Sequence, residues 1–244
     1  MKGDRLPQGE EKVIAVDSMF DTIAPRYDLL NRMLTFGMDV GWRKKAVSSL
    51  DLPAGSVVLD LACGTGDLCR GLAAARLRPV GIDRSAGMLA AARSLPLWRL
   101  RRRGRRPETT APLVRGDAMR LPVPDGSADG ITCGFALRNV VSLGNLFAEC
   151  ARVLRPAGRL ALLDVCEPAN PLLRTGHSLY FGRVVPLVGG MVSDRAAYRY
   201  LPKSLAYLPP GPEMVAMLAG AGFPDARRQV LSVGIAQLLT GTRA

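Results

Sequence analysis

Three acidic residues, each beside a strand-like apolar run, and two glycines carry the chemistry that this sequence announces. In V-V-L-D-L-A-C-G-T-G-D, Val57 to Asp67, an acid (Asp60) lies in an apolar run and Gly64 and Gly66 follow it closely. Glycines at that spacing permit a tight turn and let the backbone approach a ligand where a side chain would block it. Asp83 ends the run R-P-V-G-I-D, and Asp117 follows P-L-V-R-G. In an open α/β sheet, ligands bind outside the carboxyl ends of the strands, so Asp83 is placed to take two ribose hydroxyls. Capping the helix that follows Ser85 is its other use. Asp117 is suited to an exocyclic amine, with Ala118 offering a backbone N–H to a ring nitrogen; a plain turn acid is the alternative. The glycines alone also fit a strand-turn-helix unit that needs them only for packing.

A dinucleotide site begins in the same way, but it requires a third small residue where Cys69 stands and places a pyrophosphate at the helix N-terminus. Asp67 occupies that end, and a carboxylate there suits a cation better than a pyrophosphate. S-adenosylmethionine, which carries a sulfonium and an ammonium and has no phosphate, fits those charges.

The elements that must hold these residues read as an alternating α/β pattern. Strands are expected near 56–61, 79–83, 112–116, 128–134, 158–165, 227–232 and 235–241, and helices near 66–75, 85–94, 143–154 and 212–221. Gly234 separates the last two strands closely enough for a hairpin. The expected fold is a three-layer α/β/α sandwich on a seven-stranded, mostly parallel sheet with one antiparallel edge strand. Phe20, Ile23, Tyr27, Leu30 and Leu34 recur at spacings of three and four, which puts them on one helical face if Pro25 lies in a first turn or a kink.

Four segments in order resemble one family. They are F-D-T-I-A-P-R-Y-D-L-L-N-R-M-L-T-F-G-M-D-V-G-W-R (20–43), L-D-L-A-C-G-T-G-D, G-F-A-L-R-N-V and Tyr198-Arg199-Tyr200-Leu201. The glycine motif marks only the broad class I S-adenosylmethionine methyltransferases with their Rossmann-like fold. The other three segments are similar to the ubiquinone/menaquinone biosynthesis C-methyltransferases, over about Val16 to Gly241. The resemblance implies cofactor contacts at Thr65, Asp83, Asp117, Ala118 and the position of Gly134, beside Asp60 and the Gly64-Thr65-Gly66 turn. It sets the motif of Tyr27 and Asp28 beside the pocket, and it carries Tyr198 and Arg199 over as acceptor-pocket residues, packing being their other role. The chain departs from the family pattern at Gly134, where relatives often carry serine, at Asp164-Val165-Cys166-Glu167-Pro168, and at Leu239.

The implied reaction is C-methylation of a polyprenylated quinol ring. A neutral quinone lacks the electron density to attack a sulfonium methyl, so the acceptor must be the reduced ring, as its phenolate. Arg138 and Asn139, past the fourth strand, are the candidates for stabilising that phenolate and orienting a quinol oxygen. A salt bridge of Arg138 to Asp164 is the competing reading. His177, the only histidine, lies outside the motifs and reads as non-catalytic. Abundant arginine and alanine with little lysine favour a high-GC bacterium and therefore demethylmenaquinol as acceptor. A benzoquinol of ubiquinone biosynthesis, or another small or lipid-like acceptor, is the alternative.

Composition fits one methyltransferase domain over 1–244, with an N-terminal helical cap (about 10–50), an Arg-rich insertion (about 95–111) and an apolar lid (about 170–200). No apolar run of about 18 residues spans a bilayer, and the N-terminus lacks a signal core, which suggests the cytoplasm. Five cysteines, odd in number and mostly in core elements, suggest neither disulfides nor a metal site. Net charge is +12, half of it from the six arginines of Arg99 to Arg106. A solvated loop is one reading of that run, and transient contact of a peripheral protein with anionic lipid the other. Specific nucleic-acid binding is disfavoured because no aromatic platform accompanies the arginines. The broken apolar segment 170–191 suits a lid for the isoprenoid tail, simple core packing or a homodimer contact. A basic scaffold that kept the fold without activity is disfavoured by the intact acid and glycine set.

Overall fold

The computed structural model describes residues 7–94, 111–180 and 203–244. Seven strands form one sheet in the order β3-β2-β1-β4-β5-β7-β6: β1 (Val57–Leu61), β2 (Arg78–Asp83), β3 (Leu113–Arg115), β4 (Ala128–Gly134), β5 (Leu154–Val165), β6 (Arg227–Leu231) and β7 (Ala236–Thr242). β1 is covered on both faces, which is why four of its five residues are apolar and do not alternate. The order reverses between β1 and β4, and a crevice opens at that switch point beyond the strand ends.

The expected strands are present. β5 starts at Leu154, earlier than the apolar run suggested, because α6 (Leu143–Val153) passes directly into it and Leu154 pairs with Ala128 before a register shift. The antiparallel strand is β7, one place in from the edge, and it pairs antiparallel with both β5 and β6. At Gly81 of β2 the packing admits no side chain: a Cβ would lie 2.7 Å from Leu113 Cδ2 and 2.8 Å from Cys63 Sγ.

Helices cover both faces. On one, Leu146, Phe147 and Cys150 of α6 and Met214 and Leu218 of α8 (Gly211–Gly220) bury Leu59, Leu61, Ile131, Leu160 and Leu162. On the other, Trp42, Ala46 and Leu50 at α3 (Met38–Ser49) join Leu68 and Leu72 of α4 (Asp67–Ala74) over Val58, Ala161 and Leu163. The N-terminal stripe breaks as Pro25 requires: α1 (Gly9–Ile23) ends in a 3₁₀ turn, Ala24–Arg26, and α2 (Tyr27–Leu34) follows. Ile23, Leu30 and Leu34 pack there with Met88 of α5 (Ala86–Ser94). α7 (Pro171–Leu179) begins the expected lid, whose remainder lies outside the described residues together with the Arg-rich insertion, Tyr198 and Arg199. Among the described residues, no helix is long and apolar enough to cross a membrane.

Candidate active site

The carboxyl ends of β1 to β4 surround a single cleft. Its floor is main chain that bends sharply as it leaves the sheet. After β1, Ala62 is left-handed (φ 50°) and Gly64 follows at 55°; after β4, Phe135 is left-handed at 63°. A residue with a Cβ adopts that conformation only where its surroundings hold it, and such positions gather at binding sites. Phe135 is held by the stacked guanidinium of Arg43, 4.9 Å from its ring centroid, and by Trp42 at 6.3 Å. Ala62, Gly64, Gly134 and Phe135 all line the cleft. A Cβ on Gly134 would meet Leu68 Cδ1 at 2.8 Å, so glycine at this position and a leucine at 68 go together.

Asp83 and Asp117 stand at the ends of neighbouring strands on the cleft wall, with Ala118 and Met119 beside them. Gly64 N–H donates to Asp83 Oδ2 at 2.7 Å and Ser85 N–H to Oδ1 at 2.8 Å, so the glycine turn and the β2 end are tied through one carboxylate. Burial raises the pKa of Asp83 and those backbone donors oppose it. Asp117 Oδ1 accepts from Met119 N–H at 2.9 Å, and its Oδ2 pairs with Arg84 at 2.5 Å.

Asp67 corrects one step of the sequence argument. Its carboxylate is bound by Arg70 and by Arg32 at 2.9 Å, with Arg43 at 3.9 Å, and it does not line the cleft. The arginines, whose combined field outweighs the cost of burial, hold its pKa below the usual carboxylate value. The acidic character of the cleft survives on other residues: among the described residues its charged lining is Asp17, Asp83, Asp117 and one base, Arg84. An excess of acid repels pyrophosphate and accommodates a cationic ligand, so these residues fit S-adenosylmethionine.

Four other expected cofactor and catalytic residues lie behind the lining. Asp60 is fully buried between β1 neighbours, accepting from Thr132 Oγ1 at 2.9 Å and from Cys69 Sγ at 3.3 Å. Burial pushes its pKa up to about 7. Thr65 is buried and its hydroxyl donates to Asp28 Oδ1 at 2.5 Å, while Gly66 (φ 82°) caps α4. Arg138 does not line the cleft. Its guanidinium pairs with Asp164, and its backbone N–H donates to the same carboxylate at 3.2 Å, so the salt bridge foreseen as the competing reading is present. Its Nε has no hydrogen-bond partner among the described residues. Asn139, its neighbour, does line the cleft, and its amide donates to Phe135 O at 3.4 Å. Tyr27 lines the cleft as well. Burial raises its phenol pKa despite the opposing fields of Arg43 and Arg138, so it stands as a neutral donor.

What sequence reasoning missed is how the N-terminal segment grips this cleft. Val13, Val16, Asp17 and Phe20 of α1 form part of its wall. Asp17 reaches Arg84 at 3.1 Å, and Asp21 Oδ1 accepts from Ser85 Oγ at 2.5 Å and from Gly87 N–H at 2.9 Å. Asp28 holds Thr65. Lys12 is buried, donates to Val140 O at 2.8 Å and lies 3.6 Å from the Tyr207 ring centroid; burial lowers its pKa to about 8. Part of the signal was present, because positions 17 and 21, four residues apart, share one face of α1, while Asp28 lies on α2 beyond the 3₁₀ turn. Their partners, far along the chain, were not readable.

The ubiE/COQ5 methyltransferase family profile matches residues 7–243. The chain is 40% identical over 230 residues to a protein of Syntrophotalea carbinolica named ubiquinone/menaquinone biosynthesis C-methyltransferase, covering 93% of each. It is also 40% identical over 228 residues to a demethylmenaquinone methyltransferase of Thermus thermophilus, covering 92% of this chain and 100% of the relative. Among solved structures, an S-adenosylmethionine-dependent methyltransferase of Thermotoga maritima superposes with a TM-score of 0.64 at 19% identity, over 93% of this chain and 99% of that one.

Proposed function

Because the chain belongs to the ubiE/COQ5 methyltransferase family and is an S-adenosylmethionine-dependent methyltransferase, we propose that it methylates a ring carbon of demethylmenaquinol to give menaquinol. The observation that carries this reading is one cleft with two kinds of lining. Asp83, Asp117 and the Gly64 turn supply polar groups at the ends of β1 to β3, and Phe20, Tyr27, Met88, Phe135 and Val140 supply apolar and aromatic surface. The first suit a cationic nucleoside, the second a flat hydrophobic ring.

S-adenosylmethionine supplies an electrophilic methyl on sulfur. Asp83 would take the ribose hydroxyls, Asp117 the adenine amine, and the N–H of Ala118 a ring nitrogen, while the bend from Ala62 to Gly64 leaves room for the methionine portion. Tyr27 and Asn139 would bind quinol oxygens, Tyr27 by donating from a phenol that stays protonated. The phenol proton would leave to water; as the ring carbon takes the methyl and S-adenosylhomocysteine departs, the hydrogen on that carbon would be lost as a second proton and aromaticity restored, with alignment rather than a covalent nucleophile supplying the rate. Arg138 acts one layer back: it anchors the turn that carries Asn139, and its positive field favours the phenolate. Asp60, Thr65 and Gly66 shape the glycine turn from behind, and the family motif assigns Tyr198 and Arg199 to acceptor binding.

The prenyl tail requires a route from a bilayer. Leu29, Met33 and Phe36 are exposed at the α2 edge, as are Leu172, Leu173 and Leu179 on α7. Phe36 and Tyr180 join the two groups, with ring centroids 5.7 Å apart. This edge and the net charge of +12 support transient docking of a peripheral protein on anionic lipid at the cytoplasmic face. Co-sedimentation with phosphatidylglycerol vesicles tests that docking, and a homodimer burying the same leucines would instead appear by light scattering.

The deciding experiment supplies methyl-labelled S-adenosylmethionine with reduced demethylmenaquinone or, separately, a demethylated ubiquinol precursor. Label on the naphthoquinol ring carbon is expected. Transfer only to the benzoquinol would reassign the acceptor, and no transfer to either ring would overturn quinol methylation.

A further inference from the structure

Arg84 lies where three parts of the molecule meet. It follows Asp83 at the end of β2, its guanidinium reaches Asp117 beyond β3 at 2.5 Å, and the same group contacts Asp17 of α1 through Nε at 3.2 Å and NH2 at 3.1 Å. Its carbonyl accepts from Arg115 Nε at 3.0 Å, which fixes the backbone from which the fork projects. A planar guanidinium can serve two carboxylates in one geometry, as a lysine ammonium on a flexible stem cannot. Arg84, Asp17 and Asp117 all line the cleft.

We propose that Arg84 is a positioning residue for the cofactor: it orients Asp117 at the adenine end of the cleft and couples that carboxylate to the closing of α1. This rests on the proposed function, since it takes Asp117 as the adenine ligand. Asp117 Oδ1 is engaged by Met119 N–H and Oδ2 by Arg84, so both oxygens are fixed in direction, and each keeps a lone pair for a further donor. Asp17 is thereby linked to Asp117 through one side chain. Next to it, Asp21 holds Ser85 and the N–H of Gly87, and a Cβ on Gly87 would lie 3.0 Å from Asp21 Cα. α1 therefore sits against the start of α5 closer than most side chains at position 87 would find comfortable, and the Asp17 to Arg84 pair is the part of that contact facing the cleft. A ligand that engages Asp117 favours the arrangement in which Arg84 holds both acids, and so favours closed α1.

The test is a double-mutant cycle on binding of S-adenosylhomocysteine by calorimetry, using wild type, Asp17→Asn, Arg84→Ala and the double variant. Amide exchange over residues 9–23 is followed with and without ligand. Asp17→Asn should weaken binding about fivefold when Arg84 is present, the scale of a partly exposed ion pair, and less than about twofold in the Arg84→Ala background. Ligand should slow exchange of α1 in wild type but not in either single variant. Arg84→Lys keeps the charge without the fork and should leave α1 unprotected. Equal effects of Asp17→Asn in both backgrounds, or α1 protection unchanged by Arg84→Ala, would overturn the coupling. A wild type that fails to bind S-adenosylhomocysteine would count instead against the cofactor reading.

Discussion

Asp60→Asn should change the pH dependence of stability more than any other isosteric substitution at the strand ends. Asp60 is fully buried and keeps its proton up to about pH 7, against a usual value of 3.8. Desolvation is the main cause, opposed by Thr132, Cys69 and the field of Arg43. Below pH 3.8 the carboxyl is protonated in both folded and unfolded chains and its contribution is fully present. Between 3.8 and about 7 the unfolded chain releases the proton while the folded protein retains it, so stability falls as pH rises, and above about 7 the loss is complete. At about 1.4 kcal/mol per pH unit, that interval sets a ceiling of about 4 kcal/mol. Asparagine does not titrate. Its carbonyl can accept from Thr132 Oγ1, and its amide can point at Cys69 Sγ, so the packing is kept. Guanidinium unfolding of both proteins from pH 4 to 8.5 should therefore show curves that meet near pH 4 and diverge towards pH 8, with the asparagine variant the more stable. Parallel curves would refute the reasoning, because they would mean that Asp60 ionises in the folded state as it does in the unfolded chain.

Three further outcomes follow from contacts in the same region. Arg138→Met leaves the buried Asp164 carboxylate unpaired and should cost about 3–5 kcal/mol in a thermal melt, while Arg138→Met with Asp164→Leu should cost less than the single change. Gly134→Ala places a methyl against the end of Leu68, so a loss of about 1 kcal/mol is expected, reduced when Leu68→Val is added; additive losses would show that the two sites do not touch. Asp21→Ala removes the acceptor for Ser85 Oγ and Gly87 N–H at the start of α5 and should lower stability by about 1 kcal/mol, with faster amide exchange at that helix end.

Local pattern was a good guide to the elements and a poor guide to charge partners. The apolar runs at 57–61, 78–83 and 128–134 and the glycines at 64 and 66 are signals carried by neighbours in the chain, and they fold as the sequence indicates. Asp83, Asp117 and Ala118 were legible as cleft residues because a strand end in a parallel sheet points at the ligand crevice by topology, and Gly134 was legible through the family resemblance. β5 was misjudged at its start because Leu154 pairs with Ala128 ahead of a register shift that no apolar run marks.

Asp67 and Arg138 show the limit from the other side. Both have the residue type that the chemistry would want, at the right place in the motif. Asp67 nonetheless spends its charge on Arg32, Arg43 and Arg70, and Arg138 on Asp164. An ion pair forms between groups brought together by packing, often tens of residues apart, and a charged side chain buried near an opposite charge pairs rather than waits for a ligand. The sequence by itself determined the sheet, the glycine turn, the acids at the strand ends and the membership in a methyltransferase family. Only the tertiary structure decided which acids face the cleft. It also decided that Asp17 and Asp21 of α1 and Asp28 of α2 tie the N-terminal helices to the strand ends and the glycine turn, because direction and distance belong to the packed chain.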